Sequence, residues 1–145
     1  MTPNMLADVM SKQSKASNDW LNGLTLCAMF EAASVLAAIG AMRLADQSDE
    51  RLQGPIQSCT FIIAKYHELQ QATKKAQAAL TEASDLFVSG RALAAIQMAQ
   101  QAQDFACDVQ KMAPGRCHEC VLAEAIENQA ASLIAESYTT IRHWA

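Results

Sequence analysis

The first element is marked by Met5, Leu6, Val9 and Met10, which share one helical face after the Thr2-Pro3 pair. A hydroxyl residue followed by proline is a helix-start signal. Ser11 to Ser17 then turns polar, which predicts a short N-terminal helix. A second helix is expected from about 18 to 45, capped by Ser17 or Asn18 with Asp19 at its positive end. Its apolar residues form no stripe. They surround the axis from Leu24 to Met42 and leave only Glu31 and Ser34 as a thin polar seam. A helix apolar all round has to be covered on most sides, by its own bundle or by another chain.

Asp46 to Gly54 reads as a linker, and Pro55 opens a third helix. Ile56, Cys59, Ile63 and Tyr66 share a face there, broadened by Phe61 and Ile62. Beyond Leu69 the run is polar and alanine-rich, so the helix is expected to project from the core up to about Val88. Ser89-Gly90 breaks the pattern. A fourth helix follows with Leu93, Ile96, Ala99, Ala102, Phe105, Val109 and Met112 on one side. Ala113-Pro114-Gly115 ends it. A fifth helix, 117 to 143, carries Val121, Leu122, Ile126, Leu133, Ile134, Tyr138, Ile141 and Trp144. No stretch alternates at period two, so strands are not expected. The short connection between the last two helices implies antiparallel packing. The expected fold is all-α: an up-down helical bundle of four long helices plus a short N-terminal helix, with residues 1–145 as one domain.

Composition agrees. Hydrophobic residues are 51% of the 145, with 5 Gly and 3 Pro, which excludes disordered and collagen-like classes. Eleven Lys and Arg against 15 Asp and Glu give a net charge of −4, and the cations are scattered. Nucleic acid is therefore not an expected partner, because binding it requires clustered cations that displace counterions.

Five cysteines, an odd number, do not fit a secreted disulfide framework and point to a reducing cytoplasm. Cys27, Cys59 and Cys107 read as buried small hydrophobes. A signal peptide fits poorly, since Asp8 and Asp19 lie in the first 20 residues and the apolar run begins late.

The one stretch with candidate chemistry is Cys117-His118-Glu119-Cys120 after Arg116. A helix N-terminus and a nearby cation both favour thiolate, the form that attacks disulfides and binds metals. The segment is read first as structural, with no cofactor expected; Cys117, His118 and Cys120 are alternative candidate ligands for zinc, but a closed site needs four. The run Cys117-x-x-Cys120-Val121-x-Ala123 is similar to the active-site segment of the alkylhydroperoxidase D and carboxymuconolactone decarboxylase class, which implies a thiol oxidoreductase. That class has a His where this chain has Glu124, and its glutamate ahead of the cysteines has no counterpart beyond Asp108.

Leu86-Phe87, Gly90, Ala95-Ile96 and Ala102 resemble the middle of a tetratricopeptide unit, over about 25 residues. That resemblance implies peptide or protein binding. Ala79 and Glu82 depart from it, and no second copy follows at the repeat period. The stretch is read here as an ordinary helical hairpin.

Glu31 stands either at an edge continuing to Ser34 or opposite a cation from another helix. Trp20 and Trp144 read as packing anchors. The leading reading is a non-enzymatic regulator, adaptor or chaperone that binds a protein partner or forms a homodimer. Leu26, Met29, Phe30 and Leu36 of the second helix are the expected partner-binding residues. Residues 24–42 are also long enough for a single-pass membrane anchor, but Glu31 and the weak flanks argue against one.

Overall fold

The computed structural model describes residues 3–44 and 50–144. Among them are five α-helices and no strand: α1 (Pro3–Leu21), α2 (Thr25–Leu44), α3 (Gln53–Val88), α4 (Ala92–Met112) and α5 (His118–Trp144), with a single 3-10 turn at Glu50–Leu52. The protein is an all-α helical bundle. The expected Thr2 cap and the 46–49 part of the linker lie outside the described residues. Residues 50–54 are helical rather than linker, so α3 starts at Gln53, just ahead of Pro55.

The chain divides into two compact units. The first holds α1, α2, α3 up to Glu68 and the loop Pro114–Cys117. In it α1 and α2 pack on each other as a hairpin. The N-terminal helix is not short: it runs 19 residues through the polar Ser11–Ser17 stretch. The reason is that Ala16 and Trp20 extend the face begun by Val9, and all three are buried. Polar residues on the other side of α1 cost nothing in water.

The helix expected from 18 to 45 is thereby two helices, broken at Asn22-Gly23. The Leu24 N–H donates to the Asp19 carbonyl at 2.8 Å, and the Gly23 N–H donates to the Trp20 carbonyl at 3.1 Å. This paired 6→1 and 5→2 bonding closes a helix end and needs a left-handed residue after the cap. Gly23 supplies it, with φ 83°. A Cβ there would lie 3.2 Å from the backbone of Arg116 and Cys117. The turn is therefore also the seat of the Pro114–Cys117 loop.

The second unit holds α3 from Leu69, α4 and α5. Here α4 and α5 pack closely along their lengths. Their buried seams are mostly alanine: Ala92, Ala95, Ala99, Ala102 and Ala106 on α4, with Ala123 and Ala130 on α5. Spacings of three and four keep each seam on one face. The distal part of α3 does not project into solvent. Leu69, Ala76, Ala79, Leu80 and Ala83 are buried, and Gln70 of α3 donates to the buried Glu119 of α5 at 2.8 Å.

The faces expected from bulky residues are rotated accordingly. Leu93, Val121, Tyr138 and Trp144 are exposed, whereas Ile96, Val109 and Ile126 are buried as expected. The α3–α4 turn at Ser89-Gly90 matches expectation. It repeats the closure seen at Gly23: the Arg91 N–H reaches the Leu86 carbonyl at 2.9 Å, the Gly90 N–H reaches the Phe87 carbonyl at 3.1 Å, and Gly90 has φ 84°.

These two glycines differ in surroundings. Nothing lies within 4 Å of a Cβ built on Gly90. Gly90→Ala is therefore expected to cost only the left-handed backbone penalty, about 1 kcal/mol. Gly23→Ala adds a backbone clash and is expected to cost clearly more. Urea unfolding of the two variants side by side checks this, and equal losses would contradict it.

Candidate functional site

Two faces of α2 have opposite fates. Thr25, Ala28, Ala32, Val35 and Ile39 form one seam and are buried. Diametrically opposite, at 100° per residue, lie Leu26, Cys27, Phe30, Ala33, Ser34, Ala37, Gly40 and Ala41, all exposed. Leu26 is 51% exposed and Phe30 61%. None of these eight residues is charged. Met29 and Leu36 are half-buried and border this face on one side. Of the four expected partner-binding residues, the structure thus sets Leu26 and Phe30 in the open and Met29 and Leu36 at the margin. The α2 segment Thr25–Arg43 is long and apolar enough, by length and composition, to cross a membrane.

The other margin is polar. A cleft of about 330 Å³ is lined by Lys12 and Lys15 of α1 and by Phe30, Glu31 and Ser34 of α2. Lys15 Nζ lies 3.5 Å from Glu31 Oε1, and Lys12 Nζ lies 3.1 Å from Asp8 Oδ2. Glu31 is half-buried, and its other carboxylate oxygen is shielded from solvent. The two expectations for this residue meet here: it sits at the edge of the apolar face and faces a cation from another helix.

Burial pushes the Glu31 carboxyl above its ordinary 4.5, the neighbouring Asp19 carboxylate adds to the rise, and Lys15 opposes it. The folded chain therefore holds this proton at a pH where the unfolded chain has released it, and the stability it lends is lost as pH rises above 4.5.

The Cys-His-Glu-Cys segment is not gathered into a centre. Cys117 is buried at 1% exposure, His118 at the start of α5 is exposed, and Cys120 is half-buried. Among the described residues no three His, Cys, Asp or Glu side chains stand together so as to hold a metal ion. The zinc ligand set expected from Cys117, His118 and Cys120 is therefore not assembled, because consecutive residues at a helix start point in different directions. The segment's Glu119 is instead a structural acid, buried at the positive end of α5 and held by Gln70. Burial also raises the thiol pKa of Cys59. Cys27, expected to be buried, is exposed on the open face of α2.

Trp20 is buried, but Trp144 is 67% exposed and lines a cleft with Leu93, Ile141 and Arg91. Periodicity alone does not reveal this second apolar patch, because Leu93, Ile141 and Trp144 each fit a core face.

No family model matches the chain, and no curated protein or solved structure is significantly similar to it.

The Lys15 side of the ion pair is largely solvent-exposed, so the pair contributes little against the burial of Glu31. Glu31→Gln is therefore expected to raise the unfolding midpoint at pH 7, with the gain over wild type shrinking as pH falls toward 4. A gain that is the same at both pH values, or a loss at pH 7, would contradict the assignment.

Proposed function

We propose that the chain is a non-enzymatic protein–protein interaction module that docks a partner through the open face of α2. The observation that carries this reading is the uncharged face with Leu26 and Phe30 more than half exposed. Contiguous apolar surface of this kind is costly to leave in water and marks interaction sites. Phe30 is the one aromatic residue on this face, and aromatic anchors often contribute most to binding. Met29 and Leu36 supply adaptable apolar margins. A helix presenting one such face is read by a groove or by another helix. A regulator, adaptor or chaperone role follows from that mode of recognition.

The same helix supports a second reading, contact with a lipid bilayer, on its length and composition. The seam formed by Ala28, Ala32, Val35 and Ile39 favours the first. That side of α2 is already committed to the bundle, which leaves one face rather than a whole circumference to be covered.

Phe30→Glu tests the proposal. Because the side chain is exposed, the variant is expected to keep its helix content and the unfolding midpoint of the isolated chain. It is also expected to lose whatever assembly the wild type shows in native mass spectrometry. An unchanged assembly in a folded Phe30→Glu variant would overturn the docking role. Loss of detergent partitioning, with no protein assembly in either form, would move the reading to the membrane.

A further inference from the structure

Resting on the reading of α2 as a docking face, we propose that its occupant is a second copy of this chain, packed antiparallel about a two-fold axis between Ala33 and Ser34. The eight exposed residues are arranged symmetrically about that point. In an antiparallel pair, residues equally distant from the centre lie at the same height. Leu26 then meets Ala41 of the other copy, and Phe30 meets Ala37. Each large side chain is matched with a small one, twice over by symmetry. This is how facing layers interdigitate without voids or clashes. Ala33 and Ser34 meet their own counterparts at the axis, where small residues let the helices come close. Gly40 has nothing within 4 Å of a Cβ position, so the small end of the face is open to receive a neighbour. A parallel pair would set Phe30 against Phe30 and alanine against alanine, crowding one end and leaving gaps at the other.

Charge and area agree with a second copy. None of the eight exposed residues carries a charge, so self-apposition brings no like charges together on a chain with net charge −4. The bordering Lys12 and Lys15 are each already beside a carboxylate of their own chain, Asp8 and Glu31. The α2 helix is 20 residues long, about 30 Å. Its open face offers on the order of 500 Å² per copy, near the roughly 1,000 Å² total at which specific pairing begins. The pair is therefore a reversible, moderate-affinity dimer with an isologous interface.

The register makes a position-specific test possible, because Cys27 lies on the face. In the antiparallel pair Cys27 is beside Ala41 of the other copy, whereas the two Cys27 residues are about 20 Å apart, far beyond disulfide reach. Ala41 is exposed, so Ala41→Cys leaves the fold intact, which circular dichroism verifies. Mild oxidation of Ala41→Cys at high chain concentration is expected to give a covalent dimer. Wild type and the double variant Ala41→Cys/Cys27→Ala are expected to give none. Sedimentation of the wild type without detergent should show mass rising with concentration.

A Cys27–Cys27 link in the wild type would overturn the antiparallel register. A mass that stays monomeric to several hundred micromolar, or chains that bind phosphatidylcholine–phosphatidylglycerol vesicles and never pair, would overturn self-association. If the wild type does not self-associate but carries a different chain that Phe30→Glu releases, the docking reading stands and the second copy falls. If neither happens, both fall.

Discussion

Close approach of helices along seams of alanine is the constraint on which this structure depends. Alanine loses no side-chain rotamer entropy on burial and has the highest helix propensity, so an alanine seam favours helix and packing together. Each methyl removes little apolar area, and the seam compensates by letting the backbones come near. Ala95, Ala99, Ala102 and Ala106 on α4 are all at 0% exposure. A seam of this kind has no room for extra methylenes, since overpacking forces shifts in backbone and rotamers. The larger apolar residues are consequently displaced to the margins, and some to the surface.

That displacement shapes the surface of α2. On α2 the small residues Ala28 and Ala32, with Val35 and Ile39, hold the helix in its unit, while Leu26 and Phe30 point away from it. The apolar surplus that makes the second helix so conspicuous in the sequence is therefore not core. It is surface, bordered by the Lys15–Glu31 pair on one side and by Met29 and Leu36 on the other.

Much of this was legible in the residues, and the gaps have physical causes. The all-helical class, the Ser89-Gly90 and Pro114-Gly115 breaks and the anomaly of residues 24–42 all follow from periodicity and turn chemistry. The Asn22-Gly23 break was hidden because apolar residues continue on both sides of it. The dipeptide is itself a turn signal, and its weight lies in tertiary contact with Arg116 and Cys117. The distal part of α3 looked solvated because its core face is alanine, which a search for bulk passes over. The same bias turned α5 the wrong way, favouring Tyr138 and Trp144 over Ala123 and Ala130. Of the four contact residues expected on α2, packing leaves Leu26 and Phe30 exposed. Which side of α2 remains open could only be settled by three-dimensional packing. Nothing in the spacing of Cys117, His118 and Cys120 tells that Cys117 and the intervening Glu119 are buried while His118 is exposed.

Small buried residues such as Ala32 hold α2 in its unit, whereas Leu26 and Phe30 lie exposed on its other side. Equilibrium urea unfolding of Ala32→Leu and Phe30→Ala, at a chain concentration low enough to prevent association, tests it most directly. Ala32→Leu, which adds apolar bulk at a site with 0% exposure, is expected to destabilise by about 1–3 kcal/mol. Phe30→Ala, which removes an exposed aromatic ring, is expected to change stability by no more than about 0.5 kcal/mol. A loss of about 3–5 kcal/mol for Phe30→Ala, as for a buried phenylalanine, together with a neutral Ala32→Leu, would contradict it.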